Sequence, residues 1–147
     1  MDLDLLALET ALLERLRTAL AGQMPPVHVL SQDDVAAAAE EKQLVPAVHV
    51  IYQNYRVLES RSDGKAARIE QIWLAVVATR NTRNLASATS SRRQAGLLGG
   101  QVAKALMGWR APGTATPWRL VDGPGAAFGT GFGYLPIAVA AEMTVTA

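Results

Sequence analysis

Residues 69–79, IEQIWLAVVAT, decide the fold of this chain. Successive side chains of a β-strand point to opposite faces of its sheet. In this stretch one face carries Ile72, Leu74, Val76 and Ala78, and the other carries Gln71, Trp73, Ala75 and Val77. Because both faces are largely apolar, the stretch predicts a strand in the middle of a sheet that is covered on both sides.

The residues that precede this strand predict its partner. Residues 47–58 are rich in Val, Ile and Tyr, which are typical of strands. The connecting residues 59–67 are charged and contain Asp63-Gly64, a pair that favours a tight turn between antiparallel strands. The two segments together therefore predict a β-hairpin.

Helical patterns lie on both sides of the hairpin. A first helix is predicted over residues 4–21, with Gly22 as its stop, because leucines recur at helical spacing: Leu5, Leu8, Leu12, Leu16 and Leu20. An extended piece at 27–30 and a short helix capped by Ser31 follow. A long helix is predicted to begin between Ser87 and Ser91, with an apolar stripe of Ala95, Leu98, Val102, Leu106 and Trp109.

The C-terminal part of the chain predicts two more strands. Residues 118–121 form a short strand, and a glycine-rich loop over 122–133 leads to a longer strand over 135–145, where Pro136 favours an edge or a bulge. The element order is α-β-(α)-β-β-α-β-β. It indicates a single α+β domain over residues 1–147, a mostly antiparallel sheet with two main helices packed on one face.

The composition excludes several classes of protein. Half of the 147 residues are apolar and 18% are charged, which excludes a disordered chain. The chain has no cysteine, so disulfide frameworks and thiolate metal sites are excluded. A formal net charge of +1 is too balanced for a protein that binds nucleic acid over its whole surface. No apolar run approaches the ~20 residues that cross a bilayer, so we expect no membrane contact.

No catalytic or cofactor motif is recognisable in the sequence. His28 and His49 lie in strand-like segments without further ligands at a known metal spacing, which favours structural, hydrogen-bonded histidines. The glycine-rich residues 123–131 lead into a strand and lack the Lys-Ser/Thr of a phosphate-binding loop. We therefore expect no enzymatic activity, no metal and no cofactor. We also expect this loop to be mobile in the free subunit until a partner orders it.

Arginine is the distinctive polar residue of the chain. Eleven of the fourteen cationic residues are Arg, which is enriched at protein interfaces, whereas Lys is depleted there. Four arginines bracket the junction between the central strand and the long helix, and one lies beside an aspartate in the hairpin turn. The candidate interface residues are Arg61, Asp63, Arg80, Arg83, Arg92 and Arg93. An ordinary solvated surface of mixed charge is the alternative interpretation.

Five segments carry a resemblance to a known family. They are LLALE at 5–9, PAVHV at 46–50, IEQIWLAVVA at 69–78, ALMGW at 105–109 and GYLPI at 133–137. Together with the element order, they resemble the small tail-terminator, or tail-completion, proteins of Mu-like and other long-tailed phages. The resemblance covers nearly the whole chain, and its motifs are structural rather than chemical.

The resemblance implies a non-enzymatic virion protein at the head-proximal end of the phage tail. Such a protein forms a ring, with six copies expected, that stops polymerisation of the tail tube and provides a head-joining surface. The implied partners are other copies of the chain, the tail tube protein and a head-completion or connector protein, while DNA only passes through the lumen. Assembly takes place in the cytoplasm of the bacterial host.

Two other functions remain open on the sequence alone. One is another head–tail joining role within the virion. The other is a small-molecule-binding or regulatory α+β domain that acts as a dimer, with a pocket between helix and sheet. Stoichiometry separates a ring of six copies from a compact two-fold dimer.

Overall fold

A computed structural model describes residues 3–39, 42–80, 85–129 and 131–147. Within these ranges the helices and strands follow one another in the order α1 (Leu8–Ala19), β1 (His28–Ser31), α2 (Gln32–Ala36), β2 (Ala47–Ser60), β3 (Ala66–Arg80), α3 (Leu85–Leu106), β4 (Arg119–Leu120), β5 (Ala127–Phe128) and β6 (Phe132–Thr146). This is the predicted α+β class, with β5 as an additional two-residue strand.

The strands form one mostly antiparallel sheet in the order β1-β2-β3-β6-β4, and β5 also pairs with β6. Among the described strands, only β1 and β2 are parallel to each other. β3 pairs along its length with β2 on one side and β6 on the other. The apolar stretch at 69–79 is therefore the central strand, as predicted.

Both main helices pack on the same face of the sheet, which we call the helix face. From α1 the core takes Leu8, Leu12 and Leu16, and from α3 it takes Ala95, Leu98, Val102 and Leu106. The sheet supplies Trp73, Ala75 and Val77 of β3 together with Val48, Val50 and Val139 from its neighbours. Burying such a continuous apolar layer is the main favourable contribution to folding.

Gln71 is a polar residue on the helix face of the central strand, and it is fully buried. Its Nε2 donates to the carbonyl oxygen of Leu5 over 2.7 Å, and its Oε1 accepts from Nε1 of Trp73 over 3.0 Å. Because both ends of the amide have partners, its burial carries little penalty. Gln71 thereby fixes the segment before α1 onto the sheet.

Several predicted boundaries were wrong. α1 begins at Leu8 rather than at residue 4, and α3 begins at Leu85, before the predicted Ser87. The strands of the hairpin extend further than expected and leave residues 61–65 as the turn. Register shifts in β2 between Tyr52 and Asn54 and between Val57 and Glu59 allow this length, because each β-bulge adds a residue without ending the strand.

The long C-terminal strand also departs from its prediction. β6 begins at Phe132 and not at 135. It is not an edge strand, because β3 pairs with it on one side and β4 and β5 pair with it on the other. Pro136 pairs with Val76 of β3 on one side of β6. On the other side of β6 some residues pair with β5 and others pair with β4, and Pro136 lies between these two groups.

In the described ranges, no helix has the length and hydropathy needed to span a membrane.

Candidate functional site

The turn of the β2–β3 hairpin is a compact charged surface. Oδ1 of Asp63 accepts from Nε of Arg61 over 2.8 Å and from the backbone N–H of Lys65 over 3.0 Å. The hydrogen bond from Arg61, followed by that from Lys65, lowers the pKa of Asp63 below its ordinary value. Gly64 has a φ of 73°, which glycine adopts without strain. The two predicted residues of this turn therefore contact each other.

The junction between β3 and α3 holds three of the four predicted arginines. A hydrogen bond of 3.0 Å between Ser91 Oγ and Thr79 Oγ1 joins the two elements. The guanidinium of Arg80 lies 5.1 Å from the ring centre of Phe132, and that of Arg92 lies 6.0 Å from the ring centre of Phe128. Both distances are in the range of cation–π contacts. Arg83 lies outside the described residues.

Arg80 and Arg92 therefore lie against the aromatic side chains of the β5–β6 hairpin, whereas Arg93 lines a groove. This groove has a volume of about 340 Å³ and runs between α3 and the loop after α1. Its walls are lined by the apolar side chains of Met24, Val27, Leu97 and Leu98, two prolines, Arg93 and three glutamines. Met24 is 86% exposed and Leu97 is 64% exposed. The sequence did not reveal this surface, because Met24 belongs to no periodic segment.

The structure does not bring the two predicted surfaces together within one chain. The hairpin turn precedes the first residue of β3, and Arg80 is its last residue. A strand of 15 residues spans about 50 Å at ~3.3 Å per residue. The hairpin turn and the arginine-rich junction are therefore at opposite ends of the sheet.

A network of charged side chains across the outer face, the face opposite the two helices, was missed by the sequence analysis. Glu70 of β3 forms ion pairs with Arg56 of β2 and Arg119 of β4. Its side chain is only 3% exposed. Next to it, Arg68 forms ion pairs with Glu59 at 3.4 Å and with Glu142 at 2.8 Å. These residues come from four strands, so only the register of the sheet brings them together.

The described residues offer no metal centre. No group of three or more His, Asp or Glu side chains in the described part of the chain could hold a metal ion. His49 lies on the outer face and is 3% exposed, and its Nε2 has no hydrogen-bond partner among the residues that the structure describes. Burial lowers its pKa below the ordinary value.

The glycine-rich loop contains a short strand. Ala127 and Phe128 form β5, which pairs with Tyr134 and Gly133 of β6. Gly133 is required at its position, because a Cβ there would lie 2.4 Å from Cδ1 of Phe128. The loop leads to strands and not to a helix N-terminus, so its context differs from that of a phosphate-binding loop.

Comparison with known proteins identifies the chain's family. The family model described as "Phage tail terminator protein" matches residues 1–146. The curated proteins give no significant match. The match spans essentially the whole chain, including both candidate surfaces. Proteins of this family are structural. The chain therefore belongs to the phage tail terminator family and is a structural protein of the phage tail.

Proposed function

We propose that this protein forms a ring of six copies at the head-proximal end of the tail tube. The ring stops polymerisation of the tube and presents a surface to a head-completion or connector protein. The family match over residues 1–146 is the observation that carries this proposal. DNA passes through the lumen of the ring on its way into the tail, and the ring is assembled in the cytoplasm of the bacterial host.

The distribution of candidate surfaces supports a ring. A closed ring needs a heterologous interface, in which one patch of a subunit meets a different patch of its neighbour. The hairpin turn with Arg61 and Asp63 lies at one end of the sheet, and the junction with Arg80, Arg92 and Arg93 lies at the other. We propose that these surfaces contact neighbouring subunits, tube or head proteins, and that their charges set the register of those contacts.

The experiment replaces Arg92→Glu together with Arg93→Glu. Both side chains are exposed, so we expect the subunit to remain folded. The matched control is Lys42→Glu with Lys104→Glu, which reverses the same number of charges at exposed positions outside the candidate surfaces. Each variant is supplied to host cells infected by a tailed phage that lacks its own copy of this protein.

The readouts are tail length by electron microscopy and the number of infectious particles. We expect the arginine variant to give tails of uncontrolled length or tails without heads, because it removes contacts at one end of the subunit. The control should restore normal tails. Normal infectious tails from the arginine variant would exclude these residues from the mechanism. Regular tail lengths without any copy of the protein would exclude termination itself.

A further inference from the structure

Exposed apolar side chains are concentrated in two places on this molecule. Ten large hydrophobic residues are exposed in the described part of the chain. Five of them form what we call the leucine patch: Leu3, Leu5, Leu6, Tyr55 and Val57. Two more, Met24 and Leu97, lie at the groove between α3 and the loop after α1. Clusters of this kind mark interaction sites more often than single exposed residues do.

The segment that carries the leucines of the patch lies beside Tyr55 of β2. The carbonyl oxygen of Leu5 accepts from Gln71, and Tyr55 is the direct cross-strand partner of Gln71. Because directly paired residues on antiparallel strands are about 5 Å apart, Tyr55 lies beside the segment that carries the leucines. Val57 follows two residues later on the same face. Asp4 lies among the leucines, and its Oδ1 accepts from the backbone N–H of Leu6.

The groove is complementary to this patch in composition and in charge. Its apolar residues Met24 and Leu97 are exposed and can receive leucine side chains. Arg93 lines the same groove, and the carboxylate of Asp4 on the patch has the opposite charge. Such a pairing fixes the orientation of an apolar contact more than it adds affinity.

The patch and the groove are separated along the molecule. The leucines of the patch precede α1 and Met24 of the groove follows it, so the 12 residues of this helix hold these two parts about 18 Å apart at 1.5 Å per residue. Along the sheet, Tyr55 in the patch follows Pro46 in the groove by nine positions, which corresponds to about 30 Å. They cannot meet within one subunit, but they can meet between two.

We infer that the leucine patch of one copy of this chain docks into the groove of the next copy. This inference rests on the proposed ring and specifies its subunit interface. The contact is heterologous, so every open assembly of copies still presents a free patch at one end and a free groove at the other. Repetition of this contact adds subunits until the ring closes.

The test uses the absence of cysteine in the chain. A Leu97→Cys variant without isotope label carries a nitroxide spin label in the groove and is mixed with wild-type protein labelled with ¹⁵N. Broadening of ¹⁵N amide signals then reports contacts between copies only. A Leu120→Cys variant, labelled at an exposed leucine of β4, is the matched control. Light scattering of the same samples gives the stoichiometry.

We expect the groove label to remove more than half of the amide intensity of Leu5, Leu6 and Val57, and the control label to leave these signals unchanged. A Leu6→Asp substitution in the ¹⁵N copy should abolish the effect. Broadening confined to the groove itself, or no broadening at the patch, would overturn the inference. If light scattering still shows six copies in that case, the ring stands and only its interface is wrong; if no assembly forms even after tail tube protein is added, both fail.

Discussion

Glu70 is the residue on which the charged network of the outer face depends. Its buried carboxylate pairs with Arg56 and Arg119, whose side chains remain about half exposed or more. This difference in burial affects stability, because removing the partners of a buried charge lowers the free energy of unfolding more than removing the charge itself does. Exposed guanidinium groups can return to water, whereas the buried carboxylate cannot.

We predict that Arg56→Met with Arg119→Met lowers the free energy of unfolding by about 3 kcal/mol. Glu70→Gln should cost only about 1 kcal/mol, because a neutral amide remains and both arginines can be solvated. Urea denaturation of the three proteins measures the difference. An equal loss for both variants would show that the carboxylate is not held by these two partners.

His49 makes stability depend on pH. Because burial lowers its pKa in the folded state, the unfolded chain binds a proton more readily than the folded chain does. The contribution of neutral His49 to the free energy of unfolding is therefore complete when the pH is above the ordinary pKa of 6.5. It is lost as the pH falls from 6.5 towards the lowered pKa of the folded state. Through one titrating group, the free energy of unfolding cannot change by more than about 1.4 kcal/mol per pH unit.

The corresponding experiment is urea denaturation at a series of pH values below neutrality. We predict that wild-type stability falls as the pH drops below 6.5 and that His49→Phe removes most of this fall. His28→Gln is the control, since it keeps His49 in place. A fall of the same size in the His49 variant would assign the effect to other groups.

Helix α3 shows how one residue type can have different roles within an element. A Cβ at Gly99 would lie 3.0 Å from Cδ2 of Leu135, so this glycine permits close packing of α3 on β6. A Cβ at Gly96 or at Gly100 would meet no atom within 4 Å. Of the three glycines, Gly99 is therefore the one at which an added Cβ would press on a side chain of another element.

We predict that Gly96→Ala and Gly100→Ala each raise the free energy of unfolding by about 0.5–1 kcal/mol, because alanine loses less backbone entropy in a helix. Gly99→Ala should give no such gain, since Leu135 must move. Thermal unfolding of the three single variants tests this ranking. A gain at Gly99 equal to that at Gly96 would contradict the packing described for β6.

The sequence predicts elements whose evidence is local and misses those that depend on register. The alternation around Trp73 identifies the central strand, and the spacing from Leu8 to Leu16 identifies the first helix. The bulges of β2 produce no recognisable pattern in the sequence, so the sequence-based prediction underestimated the length of the hairpin strands. The pairing of Glu70 with Arg119 joins residues 49 positions apart, which periodicity cannot reveal.

At the scale of the whole molecule, the predicted candidate residues are divided between two ends. The sequence places Arg61 and Asp63 in a turn and Arg80 at a strand end, but it does not give the separation between them. That separation comes from the unbroken length of β3. It makes a single binding site of the five described candidate residues impossible within one subunit and agrees with contacts to different neighbours.

Stoichiometry tests the central claim most directly. Light scattering of the purified protein, alone and with tail tube protein, gives the mass of the assembly over a range of concentration and salt. A ring predicts a species of six times the 15.6 kDa of the chain, either free or formed on the tube. A tight dimer that neither dissociates on dilution nor grows in the presence of the tube would contradict it.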